Sequence, residues 1–190
     1  MVVLPYQREG GFFLRNFKTR NIVYYALLIA LNVVLTRIGS IRISGGGVEI
    51  IRIGFGGYPV IFAGIMFGPL AGGIIGALGD IIGVIISPGG AYMPHFTLTA
   101  ALTGIIPGYI MRNCKNKECK TSTKRLLLAI GIGQIVTSII LTPYFLKILF
   151  GVHFVASLPS RLVSQAINIP IYTYVTKILV NRLYIVLDVK

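Results

Sequence analysis

The stretch "IGFGGYPVIFAGIMFGPLAGGIIGALGDIIGVIISPGGAYMPHFTLTAALTGIIPGYIM", Ile53 to Met111, holds one carboxylate (Asp80), one imidazole (His95) and no Lys or Arg. A soluble domain of 190 residues cannot hide so long an apolar run. The run exceeds one membrane span of about 20 residues and is punctuated by turn-forming Gly and Pro pairs. The chain is therefore expected to cross a membrane several times. In such a chain the rare intramembrane polar groups, Asp80 first, mark where function resides.

Working outward, the composition agrees: 55% of residues are hydrophobic and 12% charged, against about 25% charged in an average soluble domain. The pattern predicts an all-α, polytopic bundle of six transmembrane helices in a single membrane domain over residues 1–190. The spans run roughly from Ile22 to Gly39, Phe55 to Phe67, Leu70 to Ser87, Phe96 to Met111, Leu126 to Phe150 and Leu158 to Leu183. Gly68-Pro69 separates the second from the third. Pro88 to Pro94 forms a turn-rich loop that cannot easily continue a helix. The second, third and fourth spans are short for a hydrocarbon core of about 30 Å, so local thinning or protein packing must make up the difference.

A net charge of +13 raises the possibility of nucleic acid, but its distribution argues for membrane topology. Arg8, Arg15, Lys18 and Arg20 precede the first span. Arg112, Lys115, Lys117, Lys120, Lys124 and Arg125 fill the loop after the fourth, and Lys177, Arg182 and Lys190 end the chain. With six spans all three clusters share one side. The positive-inside rule makes that side the cytoplasm and puts both termini there. Anionic lipid or a cytoplasmic partner is the other use for these clusters. Residues 1–21 lack an apolar core and an A-x-A site, so they are not read as a cleavable signal. Phe12, Phe13, Leu14 and Phe17 interleaved with Arg15, Lys18 and Arg20 suggest an interfacial helix. Cys114 and Cys119 lie in the basic loop of residues 112–125, where cytoplasmic thiols are expected to stay reduced. No His accompanies them, which argues against zinc.

The chain has no G-x-x-x-x-G-K-[ST] phosphate loop, no H-E-x-x-H metal site and no G-x-S-x-G nucleophile elbow. With two Asp and three Glu in all, it has too few carboxylates for a clustered metal centre or an intramembrane proton relay. No catalytic, metal or cofactor site is read. What remains is a binder without its own motor.

Gly68, Gly72 and Gly76, then Gly79 and Gly83, and Gly104 and Gly108, stand at helix-packing spacing. Ala26 and Ala30 add a small pair to the first span. On the outer side, the loop from Ser40 to Ile53 alternates apolar and polar residues around Gly45-Gly46-Gly47, as a hairpin lid would. It carries Arg42, Glu49 and Arg52. Arg161, Gln165 and Asn168 share a face at the start of the sixth span, facing either a pocket or a neighbouring helix. Phe55, Tyr58, Tyr92, Phe96 and Tyr144 offer surfaces for a flat ring. Arg42, Arg52 and Arg161 suit carboxylates. Asp80 either accepts hydrogen bonds from an amino-substituted ring or bonds to neighbouring helices.

Three stretches carry a resemblance: "IRIGFGGYPVIFAGIMFGPLAGGIIGALGDIIG" (Ile51 to Gly83), "GGAYMPHFTLTAALTGIIPG" (Gly89 to Gly108) and "PSRLVSQAINIPIY" (Pro159 to Tyr172). From about Tyr24 to Leu183 the chain resembles the substrate-binding S components of energy-coupling factor (ECF) vitamin transporters, and most closely the folate-specific ones. The resemblance implies six helices and an outward-facing vitamin pocket closed by loops. It also implies a prokaryotic plasma membrane and partners in a transmembrane coupling subunit and two cytoplasmic ATPases. The family's docking motif, A-x-x-x-A in the first helix, matches Ala26 and Ala30. His95 departs from the pattern, standing where folate members often carry a small residue. The expected function is capture of folate for import, with Arg42, Arg52, Asp80, Tyr92, Phe96, Arg161, Gln165 and Asn168 as candidate binding residues. Riboflavin is the alternative vitamin, since cationic thiamine is disfavoured by several Arg. A lipid-directed membrane enzyme or an assembly subunit are the alternatives outside the class.

Overall fold

The computed structural model describes residues 19–37, 40–45, 48–86, 92–114, 117–151 and 154–188. In chain order these form α1 (Thr19–Arg37), β1 (Ser40–Gly45), β2 (Val48–Gly54), α2 (Tyr58–Phe67), α3 (Pro69–Ile86), α4 (Pro94–Ile110), the short α5 (Lys117–Thr121), α6 (Thr123–Gln134), a π-helical segment (Ile135–Leu141), α7 (Thr142–Phe150) and α8 (Phe154–Asp188). The architecture is helical apart from one antiparallel hairpin. That hairpin occupies the loop read as a lid, and its backbone register pairs Arg42 with Arg52. The interfacial helix expected over the N-terminal aromatics lies, apart from Thr19 and Arg20, outside the described residues.

The bundle exposes large apolar side chains and buries polar ones within its apolar core. Leu27, Val34, Leu70, Ile85, Leu128 and Leu162 are exposed, whereas Asn32, Thr99, Gln134, Thr137, Asn168 and Thr176 are buried. Water would drive the opposite arrangement; lipid as solvent permits this one. Pro69–Ile86 and Thr123–Leu149 are each long and apolar enough to cross a membrane alone, while Ile22–Arg37 and Tyr58–Phe67 are shorter apolar helices.

Proline sets several boundaries. Pro59 and Pro94 stand in the first turn of α2 and α4, where a missing N–H costs nothing. Pro143, where α7 continues directly from the π segment, explains that segment. The ring cannot donate to the carbonyl four residues back, and the winding loosens; Thr142 Oγ1 instead donates to Thr137 O, five residues back, at 2.7 Å. Pro159 and Pro170 lie inside α8 without ending it. α8 therefore begins at Phe154, earlier than the Leu158 expected from the sequence, because two lost ladder bonds are a small part of a 35-residue helix.

The glycines divide into two uses. Gly68 was expected to pack; instead it takes φ 99° and closes α2 with no atom near its missing side chain. It is the turn that hands the chain to Pro69. Gly64, Gly72 and Gly104 are true contacts. A Cβ on Gly104 would lie 2.6 Å from the Gly72 carbonyl carbon, and one on Gly72 would lie 2.7 Å from Gly64 Cα. The backbones of α2, α3 and α4 meet there, gaining dispersion that lipid cannot replace.

At the basic end, Cys114 and Cys119 are joined in a disulfide, contrary to the expectation of free thiols. Arg125 Nη1 lies 2.8 Å from Cys119 Sγ and 3.4 Å from Cys114 Sγ. Cys114 packs into the main core beside Met111 and Leu126, and Cys119 packs against it, which brings the two sulfurs together. Burial in the same loop pushes the Lys120 ammonium below its ordinary value.

Gly104→Ala is expected to lower the thermal midpoint of the detergent-purified protein, since overpacking typically costs roughly 1–3 kcal/mol. Gly131→Ala, whose new methyl would find its nearest neighbour 4.0 Å away, is expected to leave the midpoint unchanged or raise it slightly. Equal midpoints for the two variants would count against the glycine seam.

Candidate functional site

A helix of ten residues, α2, rises only about 15 Å, half of a bilayer core. The turn that precedes it, Gly54 to Gly57, is therefore held inside the bundle. Non-helical backbone at that depth must find protein donors for its carbonyls. Tyr172 Oη of α8 donates to Gly54 O, and Asn32 Nδ2 of α1 donates to Gly56 O at 3.0 Å. Beneath the turn, Tyr58 is buried against Phe62 and Tyr172. Expected as a ring-stacking surface, Tyr58 is instead part of the core. Phe55 keeps 42% of its surface accessible and leans on Tyr172, with ring centres 6.4 Å apart. The turn thus makes a floor with an aromatic ring on it.

Two polar groups stand on the hairpin side of this floor. The first joins α3 to the start of α4. Thr97 Oγ1 lies 2.7 Å from Asp80 Oδ2 and 3.0 Å from Tyr92 Oη. A hydroxyl has one proton, so Thr97 donates to the carboxylate and accepts from Tyr92. Asp80 is half-buried, with acceptor capacity beyond this one bond. Phe96 is half-buried one residue before Thr97. His95 is exposed and tilts onto Phe145 of α7, with ring centres 5.0 Å apart.

The second group joins α8 to the π segment. Arg161 Nη1 donates to Ser138 O across 3.4 Å, and Ser138 Oγ donates to Gln134 Oε1 at 2.9 Å. Gln165 Oε1 is buried without a hydrogen-bond partner. Asn168 is buried one turn further along. An unsatisfied buried acceptor costs about 1–3 kcal/mol, a cost that a ligand N–H would remove.

The sequence-read candidates therefore fall into three places. Asp80 and Tyr92 share one hydrogen-bonded group. Arg161, Gln165 and Asn168 share the α8 face. Arg42 and Arg52 are paired in the hairpin backbone, and their side chains lie outside the described residues. Ala26 and Ala30 are exposed on α1. Sequence reading missed Asn32, Thr97 and Tyr172. Tyr172 had a usable signal, since it follows Asn168 by four residues and continues that face. Thr97 had none, because its role depends on α3 and α4 lying side by side.

Comparison with known proteins places this arrangement. Residues 16–184 match the family described as ECF-type riboflavin transporter, S component. The chain is 41% identical over 158 residues to the folate transporter FolT of Clostridium novyi (strain NT), covering 83% of this chain and 86% of that one. Among solved structures, FolT bound with folic acid superposes with a TM-score of 0.73 at 32% identity, covering 88% of this chain and 98% of its own. An S component for biotin from an ECF-type ABC transporter gives 0.70 at 20% identity, covering 91% and 95%, a likeness of fold alone. The chain belongs to the S components of ECF-type transporters, integral proteins of the prokaryotic plasma membrane that take part in transport and are not enzymes.

Proposed function

We propose that this chain captures folate at the outer side of the membrane for ATP-driven uptake. The observation that carries the reading is its 41% identity to a folate transporter over most of both chains. In this reading residues 1–190 are one membrane domain with six crossings. Both termini and the loop of residues 112–125 face the cytoplasm, in keeping with the basic clusters. The partners are a transmembrane coupling subunit, met through Ala26 and Ala30, and two cytoplasmic ATPases, since the chain has no phosphate loop of its own.

Chemistry divides the ligand among the polar groups. Asp80, held by Thr97, accepts from the amino and ring N–H groups of a pterin, as a carboxylate does at least cost. Gln165 and Asn168 offer further polar contacts, with Phe96 and Tyr92 against the ring face. Arg42, Arg52 and Arg161 supply positive charge for the glutamyl carboxylates. Riboflavin is the second reading, favoured by the description of the matching family. It has no carboxylate for the arginines to meet.

Quenching of intrinsic tyrosine fluorescence, backed by calorimetry because the chain has no Trp, distinguishes them. Saturable folate binding without a riboflavin response is expected; the reverse result would transfer the site to riboflavin. Asp80→Asn is expected to weaken folate binding by roughly tenfold or more, the scale of one charged hydrogen bond, as read by the same calorimetry. Replacing both Ala26 and Ala30 by Leu is expected to leave folate binding intact and abolish folate uptake by cells expressing the partners. Undiminished uptake would remove α1 from the docking surface.

A further inference from the structure

The last residue of α1, Arg37, has no role in the assignment above. Its guanidinium lies over Gly83 of α3: a Cβ built there would sit 3.2 Å from Nη2 and 3.4 Å from Nε. One turn earlier on α1, Asn32 covers Gly79 of α3 in the same way, its Oδ1 2.7 Å from the missing Cβ. Asn32 is satisfied, because it donates to Gly56 O. Arg37 is not, because its Nε is buried and has no hydrogen-bond partner. Among the described residues no carboxylate is paired with it. Asp80, three residues before Gly83, is engaged by Thr97.

A helix C-terminus favours a cation in its last turn, and this would account for a basic residue at that position. It would not account for a donor turned inward. A guanidinium cannot shed its charge, so a buried N–H without a partner carries a desolvation cost that an arriving acceptor would remove. Because Gly83 carries no side chain, the guanidinium itself packs against the backbone of α3 at this point. The hairpin begins three residues later, at Ser40, so an anion held at Arg37 lies beside the hairpin's first strand.

We infer that Arg37 is a carboxylate-binding residue of this site, with its guanidinium over Gly83 receiving a carboxylate of the ligand's acidic tail. The inference rests on the folate reading. It differs from that reading in naming a residue whose unmatched donor is visible before any ligand is present.

The test is calorimetric titration of the purified protein and its Arg37→Gln variant with folate and with folate dimethyl ester. The ester keeps the ring system and carries no charged carboxylate. Arg37→Gln is expected to weaken folate binding by roughly tenfold to a hundredfold and to leave ester binding within about twofold. Equal weakening of both ligands would mean that Arg37 only supports the fold, and would overturn the inference. Unchanged folate binding would overturn it as well. Should Arg37→Gln fail to fold, Arg37→Lys removes the fork and keeps the charge. A loss confined to folate is then expected, and no loss would overturn the inference. If the unaltered protein takes riboflavin and not folate, the folate reading itself falls, before any variant is made.

Discussion

A stretch of non-helical backbone held inside a lipid-facing bundle is the constraint from which the rest follows. Every carbonyl of Gly54 to Gly57 that leaves the helical ladder needs a donor, because lipid supplies none. Asn32 and Tyr172 supply two, from helices far apart in the chain. Those two bonds tie α1 and α8 to the same turn. They fix how short α2 can be, and so how deep the floor lies. Phe55 and the polar groups on the hairpin side have their places because that floor exists.

Such a turn can be held only if the helices around it are close. The seam of Gly64, Gly72 and Gly104 brings three backbones into contact with no side chain between them. Close packing at this seam frees the opposite end of the same helices for other residues. Asp80 on α3 can then reach Thr97 on α4 at 2.7 Å. A larger residue in the seam would spread the helices and act on that hydrogen bond at a distance. Packing and recognition are thus linked through a few ångströms of helix separation.

Much of this was legible in the sequence, for identifiable reasons. The long apolar run declared a membrane bundle. Gly68-Pro69 announced a break, although Gly68 was read as packing when its positive φ makes it a turn. The alternating Ser40 to Ile53 segment gave the hairpin. Spacing of three and four residues put Arg161, Gln165 and Asn168 on one face. Hidden were the features that depend on which helices are neighbours. Tyr58 read as a ring for the ligand but is buried by Phe62 and Tyr172. Cys114 and Cys119 read as thiols kept reduced by their compartment, yet burial of Cys114 in the core holds the two sulfurs together. The sixth span was read from Leu158, whereas α8 begins four residues earlier, at Phe154, and runs through Pro159 and Pro170.

The five basic residues outside the three basic clusters carry the last step. They are Arg37, Arg42, Arg52, Lys147 and Arg161. If charge served topology alone, the outer half of the chain should hold few cations, because the positive-inside rule disfavours them there. Four of these five are Arg, the residue suited to a planar carboxylate and least able to become neutral. Arg161 is tied to the π segment and Arg37 covers Gly83. Positive charge retained against the topological bias, in the form that best recognises carboxylates, fits an anionic ligand better than a neutral one. On that ground the arginines favour folate over riboflavin independently of sequence identity to any relative.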